Sequence, residues 1–174
     1  MTDAHQGGRR TAGRPKPSRR RMARLAAVQA LYQIDLNGER PEAVLQQFER
    51  HRLGQTDEGM HLDADPRFFA GLIRGVVQRQ PEIDGLLETA MAPAHHLARI
   101  EVVLRAILRA ATYELVAMPD VPPRVVLAEY VDITGDFFSE REAGLANGVL
   151  DRVARGVRVA DYGGGERGPG TTEQ

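Results

Sequence analysis

Apolar and polar residues alternate along this chain with helical spacing, most clearly from Ser18 to Leu36. At roughly 100° per residue, the apolar side chains of this stretch fall on two nearly opposite faces. One face carries Leu25, Val28, Tyr32 and Leu36, and the other carries Ala23, Ala27, Ala30, Leu31 and Ile34. Because a helix that is apolar on both faces is normally buried, we expect neighbouring helices to pack all around this one.

Both ends of this helix carry boundary signals. Ser18 is a favourable N-cap, and it follows Pro15 and Pro17, which disfavour a helix before it. Asn37 and Gly38 form a dipeptide typical of turns, so the helix is predicted to stop there.

The same spacing predicts six more helices. They are expected from Pro41 to about Arg50, from Asp65-Pro66, from Pro81, over about 97–117, from Pro122-Pro123 and over about 140–157. Residues 51–65 contain two glycines and several polar residues, which indicates a loop. No segment alternates convincingly with period two, so the sequence predicts an all-α fold of about seven helices.

Apolar positions in the later helices define the faces that are expected to form the core. These are Phe69, Leu72, Ile73, Val76 and Val77; Ile83, Leu86, Leu87 and Met91; Ile100, Leu104, Ile107, Leu108, Ala111 and Leu115; Leu127, Tyr130, Val131, Thr134 and Phe137 or Phe138; and Leu145, Val149, Val153 and Val157. Glu114 lies at the edge of one such face. Because a half-buried carboxylate needs a partner, we expect an arginine from a neighbouring helix to pair with it.

The two ends of the chain lack this periodicity. Residues 1–17 are polar, with glycine and proline, and are predicted to be a disordered basic arm. Residues 158–174 are rich in glycine and are predicted to be a disordered tail. The folded domain is therefore expected to span residues 18–157, either as one domain or as two small subdomains with a shared core.

The composition excludes several classes of protein. The 174 residues include no cysteine, which rules out a disulfide framework, a thiolate zinc site and a cysteine nucleophile. No apolar run approaches the roughly 20 residues of a membrane span, and the N-terminus lacks the apolar core of a secretory signal. We therefore expect a cytoplasmic protein.

Signals of catalysis and of metal binding are weak. The sequence has no GxSxG, HExxH or P-loop pattern, and its glycine-rich tail follows no predicted strand. His95 and His96 are adjacent, so on a helix their side chains point roughly 100° apart and do not converge on a metal. We expect no enzymatic activity, no cofactor and no metal site.

Charge is distributed unevenly, although the net charge of the chain is only −1. Residues 1–24 contain eight Lys or Arg and a single acid, Asp3, and the remainder carries a net charge of −8. A basic arm on an acidic body implies two kinds of contact, with an anionic ligand at the arm and a different partner on the body.

Four of these cations, Arg19, Arg20, Arg21 and Arg24, fall in the first two turns of the opening helix. Cations there oppose the helix dipole at a cost of about 0.3–1 kcal/mol each, so stability does not explain the cluster. A helix N-terminus offers unpaired N–H groups to anions, and clustered guanidinium groups bind phosphates. The pattern therefore indicates a nucleic-acid ligand.

Gln29 and Tyr32 leave two alternatives open. Gln29 projects between Leu25 and Leu36 into an otherwise apolar face. Its amide either bonds a neighbouring backbone group or lies in a gap where the edge of a base can reach it. Tyr32 is either a packed core residue with its hydroxyl at the rim or a platform on which a base of single-stranded RNA stacks.

Three stretches of the sequence resemble one known family in the same order. They are RRRMARLAAVQALYQIDL in the opening helix; LRAILRAATYEL at 104–115 followed by DVPPRVVLAEYVDI at 120–133; and LANGVLDRVAR at 145–155. On these motifs the chain resembles the NusB family of bacterial transcription antitermination factors. The resemblance implies two small helical bundles packed at right angles, with the opening helix at their junction.

The resemblance also implies a function. NusB-like proteins bind boxA, a short single-stranded RNA element, as a heterodimer with NusE, a ribosomal protein of the small subunit. They join an antitermination complex on RNA polymerase during ribosomal RNA synthesis. The family pattern places Gln29, Tyr32 and Asn147 on or close to the RNA-facing surface, beside the arginines of the opening helix, and an acidic body suits a basic ribosomal partner.

One departure from the family and one alternative function accompany this expectation. Many members carry a lysine and an aromatic residue just before the Asn-Gly of the last motif, where this chain has Gly144, Leu145 and Ala146. A stacking contact and a cation that those members have are therefore not expected at these positions. The alternative is an RNA-targeting module of a ribosomal RNA cytosine methyltransferase, because NusB-like domains also occur fused to such enzymes.

Overall fold

The structure, a computed structural model, describes residues 16–51, 53 and 63–162. The α-helices of these ranges are α1 (Arg19–Asn37), α2 (Pro41–His51), α3 (Pro66–Gln78), α4 (Gln80–Ala90), α5 (Val102–Ala117), α6 (Pro123–Phe137), α7 (Glu140–Val157) and α8 (Val159–Tyr162), with a 3₁₀ turn at Leu97–Arg99. No strand occurs in the described residues, and the prediction of an all-α fold is confirmed. Most of the predicted arm, loop and tail lies outside the described residues.

The ends of α1 form as the sequence predicts. The hydroxyl of Ser18 accepts a hydrogen bond from the backbone N–H of Arg21 at 3.1 Å, which satisfies one of the free N–H groups of the first turn. Gly38 adopts the left-handed conformation with φ 66°, and its N–H donates to the carbonyl of Ile34 at 2.9 Å. Glycine is favoured in this conformation because it has no Cβ.

The prediction of one continuous helix over 97–117 is wrong at its start. Ile100 and Glu101 are extended, and they separate the 3₁₀ turn from α5. The carboxylate of Glu101 accepts a hydrogen bond from the N–H of Val103 at 3.0 Å, so this residue caps α5. The apolar periodicity continues through the break, and for that reason the pattern does not reveal the cap.

The helical region also continues past the predicted boundary at residue 157. Arg158 donates hydrogen bonds to four backbone carbonyls at the end of α5 and in the α5–α6 connection, those of Leu115, Met118, Pro119 and Val121. In α8 the ring of Tyr162 lies 4.9 Å from the guanidinium carbon of Arg155. These contacts hold residues 158–162 on the domain, and we correct the start of the predicted tail accordingly.

Two apolar clusters form the core, and α1 contributes to both. Ala23, Ala26, Ala27 and Ala30 pack with residues of α2 and α3, where the rings of Phe48 and Phe69 stack at 5.5 Å. Val28 and Leu31 pack with the cluster built mainly from α4, α5, α6 and α7. The opening helix therefore lies at the junction of two helical bundles. Its two apolar faces are as predicted except for Leu31, which packs with Val28 instead of with the alanines.

Some predicted core positions face differently in the structure. In α6 the buried apolar residues include Val126 and Ile133, whereas Leu127 and Val131 are only half-buried. This helix has apolar residues on more than one face, so its periodicity alone could not select the face that α5 and α7 cover. Leu36, at the end of α1, is 56% exposed instead of buried.

Candidate nucleic-acid interface

Arg19, Arg20, Arg21 and Arg24, which we call the arginine head, occupy the first two turns of α1 and have different environments. Arg24 is buried, with 3% of its side chain exposed. Its Nε donates to Oε2 of Glu114 at 3.0 Å, and its Nη2 donates to Oε1 of the same carboxylate. The pairing of Glu114 with an arginine from a neighbouring helix is therefore as predicted.

The environment of Arg24 keeps it charged. Its guanidinium carbon lies 5.2 Å from the ring centre of Phe68 and 5.9 Å from that of Tyr130. Burial alone lowers the pKa of Arg24, but the hydrogen bond and the charge of Glu114 outweigh this effect and raise it. The predicted contact of Arg24 with RNA is corrected, because a guanidinium this buried is not accessible to a phosphate outside the protein.

Tyr130 completes this buried cluster. Its hydroxyl is enclosed and has no hydrogen-bond partner among the described residues. Burial, together with the negative charge of Glu114, raises the pKa of Tyr130 well above its usual range. Tyr130 thus stays protonated and uncharged beside the ion pair of Arg24 and Glu114.

Arg21 is held by carboxylates of α6. Its Nη2 lies 2.7 Å from Oδ2 of Asp132 and 3.1 Å from Oδ2 of Asp136, and its Nη1 lies 3.5 Å from Oε2 of Glu129. About a fifth of its side chain, 20%, remains exposed. A phosphate would have to compete with three carboxylates for this guanidinium.

Arg19 and Arg20 are the accessible members of the arginine head. Arg19 has 63% of its side chain exposed and donates from Nε to Oδ1 of Asp63 at 3.0 Å. Hydrogen bonding by Lys16, together with the charges of Lys16 and Arg19, lowers the pKa of Asp63. The guanidinium of Arg20 lies 5.0 Å above the ring of Phe68 on the exposed start of the helix. Exposed ion pairs of this kind are weak, so a phosphate can displace them.

A cavity of about 430 Å³ lies along the C-terminal half of α1, and we call it the α1 groove. Among the described residues its lining comprises Val28, Gln29, Tyr32, Gln33 and Asn37 of α1, Phe48 of α2, Val103 of α5 and Phe137 of α6. Gln29 and Tyr32 are both half-buried, and the groove brings them together at an accessible surface. Because Tyr32 is half-buried, both alternatives stay open, a packed ring with its hydroxyl at the rim and a stacking platform for a base.

One end of the α1 groove is fixed by hydrogen bonds. The amide nitrogen of Gln33 donates to Oε1 of Glu39 at 3.1 Å and to Oε1 of Gln47 at 2.9 Å. The amide nitrogen of Asn37 donates to Oε1 of Glu39 at 2.9 Å. These bonds tie the wall of the groove to α2 and to the turn that precedes it.

Asn147 lies apart from these residues. It is exposed on α7, a helix that packs against α4, α5 and α6, and it does not line the α1 groove. Leu145, two residues earlier, is half-buried and packs against the core. The structure therefore groups Gln29 with Tyr32 and does not bring Asn147 into the same cavity.

Phe137 is the groove residue whose role the sequence does not predict. The apolar pattern places either Phe137 or Phe138 in the core; Phe137 is 43% exposed, whereas Phe138 packs against the core. Adjacent positions at the end of a helix point in different directions, so two consecutive phenylalanines could not both be buried by one neighbour. Two consecutive phenylalanines are therefore the signal in the sequence that one of the two rings stays exposed.

The described ranges offer neither a metal site nor a membrane span. They contain no group of three or more His, Cys, Asp or Glu side chains placed to hold a metal ion. None of their helices is long and apolar enough to cross a membrane.

Comparison with known proteins gives a consistent result. The family model described as the NusB family matches residues 21–155. The transcription antitermination protein NusB of Rhodopseudomonas palustris (strain BisB18) is 45% identical over 154 residues, which cover 88% of this chain and 91% of that protein. The protein of the same name from Agrobacterium fabrum is 44% identical over 160 residues, covering 91% and 97%.

Solved structures agree with the fold. T. maritima NusB superposes with a TM-score of 0.69 at 28% identity, over 84% of this chain and 98% of that one. A structure of the antitermination factors NusB and NusE in complex with double-stranded RNA gives a TM-score of 0.63 at 24% identity, over 78% and 96%. The second likeness concerns the fold alone.

Proposed function

The chain belongs to the NusB family, and on that premise we propose that it is a transcription antitermination factor. It binds boxA-type single-stranded RNA together with a NusE-like ribosomal protein and supports ribosomal RNA transcription. The observation that carries this proposal is the surface of α1, where accessible arginines and a groove with polar and aromatic walls lie on one helix.

The RNA is proposed to follow this surface. Arg19 and Arg20 contact phosphates, which fix the position of the strand without reading its sequence. Gln29 lies nine positions after Arg20, which is about 14 Å along a helix. At that distance the α1 groove receives a base, whose edge meets the amide of Gln29 and whose face meets the ring of Tyr32. Asn147 supplies a more distant contact on α7.

Two members of the arginine head support the site without forming its surface. Arg24 positions α1 against α5 through Glu114, and Arg21 ties the helix to α6. These contacts fix the start of α1 relative to the groove wall that α6 contributes. Arg21 also remains a candidate phosphate contact once RNA competes for it.

The NusE-like protein is proposed to bind the acidic body. The chain beyond residue 24 carries a net charge of −8, and opposite charges accelerate association and favour a basic partner. The pair then joins the antitermination complex on RNA polymerase, which places the protein in the cytoplasm. The methyltransferase-module alternative has no specific observation in its favour, and the relatives compared above carry the name of antitermination proteins.

The test is an RNA titration with and without the NusE-like protein at two salt concentrations. We expect affinity for a boxA RNA to exceed that for a scrambled RNA, to rise with the partner and to fall as salt increases. Size-exclusion chromatography of the mixed proteins at low salt should give a single complex. Separate elution at micromolar concentration, together with equal affinity for both RNAs, would contradict the proposal.

A further inference from the structure

Phe137 is the most exposed phenylalanine or tyrosine in the part of the chain that the structure describes. An exposed phenylalanine forgoes much of the stabilisation that its burial would contribute. Its neighbour Phe138 packs against the core, with a ring-centre distance of 6.5 Å between the two. The end of α6 thus uses one phenylalanine for packing and leaves the other at the surface.

The exposed ring lies at the wall of the α1 groove, which Tyr32 also lines. Tyr32 belongs to α1 and Phe137 to the end of α6, so the fold brings together two rings that are far apart in the sequence. Tyr32 and Phe137 are the accessible aromatic side chains of this lining, because Phe48 is buried, and they offer stacking surfaces to a planar group.

Position 145 does not provide a stacking residue at the surface. Leu145 is half-buried against the core, so it has neither the aromatic face nor the exposure for that role. Phe137 has both.

We infer that Phe137 and Tyr32 together form the binding site for a single unpaired RNA base in the α1 groove. This inference rests on the proposed function and adds to it the residue that supplies the second aromatic face. An RNA base is favoured over a protein segment as the occupant because the groove lies on the same helix as the accessible Arg19 and Arg20, which a phosphate backbone requires.

The test is a set of substitutions at position 137, titrated with a short single-stranded boxA RNA in the presence of the NusE-like partner. Phe137→Ala should weaken binding roughly 5- to 100-fold, the range expected for removal of one base–aromatic stack. Phe137→Tyr retains the ring and should retain affinity, whereas Phe137→Leu retains apolar bulk and should behave like Phe137→Ala. Tyr162→Ala removes another exposed ring, on α8, and should leave RNA affinity unchanged.

An RNA series with one base at a time replaced by an abasic ribose identifies the occupant. One position should weaken binding to the wild-type protein and have little further effect on Phe137→Ala, because both changes remove the same stack. An undiminished effect of every abasic position in Phe137→Ala would overturn the inference. The inference would also be overturned if Phe137→Ala lost only its association with the NusE-like protein, measured without RNA.

Failure of the inference and failure of the proposed function give different results. Wild-type binding that depends on Arg19 and Arg20 but not on Phe137 overturns the inference alone. A wild-type protein and partner that show no preference for the boxA RNA overturn both.

Discussion

The arginine head and the α1 groove lie on the same helix but are held by the fold in different ways. The arginine head is largely committed to partners within the protein, because Arg24 is buried with Glu114 and Arg21 bridges three carboxylates of α6. In the groove, Tyr32 and Phe137 are only partly covered. A count of arginines in the sequence therefore overstates the positive charge that RNA can reach. The pattern of apolar residues, in contrast, understates how much aromatic side chain lies at the surface.

The largest effect is expected at the buried end of the arginine head. Arg24→Ala should lower the free energy of unfolding by about 3–5 kcal/mol, because it leaves the Glu114 carboxylate buried without a partner. Arg20→Ala, one turn earlier on the surface, should change it by less than about 1 kcal/mol. Urea denaturation of both variants measures the difference.

A double variant provides the control for this prediction. Replacing the pair by apolar residues, with Arg24→Met and Glu114→Leu, removes both charges and should recover much of the stability that Arg24→Ala forfeits. Equal decreases in the free energy of unfolding for Arg24→Ala and Arg20→Ala would contradict the distinction between the buried and accessible arginines.

The next effect concerns the groove. Tyr32→Ala should reduce RNA affinity by about 1–3 kcal/mol, because it removes a stacking surface. Since the ring is half-buried, the stability loss should be below the about 3–5 kcal/mol of a fully buried aromatic. Tyr32→Phe keeps the ring and serves as the control. A large stability loss with unchanged affinity in the folded fraction would assign Tyr32 to packing alone.

A smaller effect is expected at the accessible arginines. Replacing Arg19 and Arg20 by Ala should flatten the dependence of log affinity on log salt by about 0.7 for each phosphate that the protein no longer neutralises. Stability should change little, because exposed ion pairs contribute little. Arg74→Ala, which removes an exposed arginine paired with Glu42, is the matched control. An unchanged slope in the double variant means that these arginines do not touch the RNA backbone.

The smallest effect is expected at Tyr130. Tyr130→Phe removes a buried hydroxyl without a hydrogen-bond partner among the described residues, so stability should stay the same or rise by up to about 1 kcal/mol. The pKa of Tyr130 is raised in the folded protein, so above about pH 10 the unfolded state loses this proton while the folded state retains it. The contribution of Tyr130 to stability therefore falls as the pH rises above that value.

Denaturation of the wild-type protein and Tyr130→Phe at about pH 8 and above about pH 10 measures this difference. The phenylalanine variant should lose less stability on going to the higher pH. Parallel losses in the two proteins would mean that the buried hydroxyl titrates as it does in water.

Local signals in the sequence determined the helices of this protein and much of its chemistry. Ser18 and Gly38 set the ends of α1 through hydrogen bonds to the backbone within one turn. Residues close together in the sequence are enough to specify such bonds. The position of Glu114 at the edge of an apolar face was enough to predict an arginine partner. The family motifs specified the fold and the RNA-facing positions Gln29 and Tyr32, and their contact with RNA remains a prediction.

Only the tertiary structure decided which residues are covered. Helical periodicity shows which side chains share a face, but the neighbour that packs on that face comes from a distant part of the chain. For that reason the sequence could not tell that Arg24 is buried by α5 and α6 while Arg19 stays exposed. For the same reason it could not choose between Phe137 and Phe138, because the packing of α6 against distant helices decides that Phe138 contacts the core and Phe137 stays exposed.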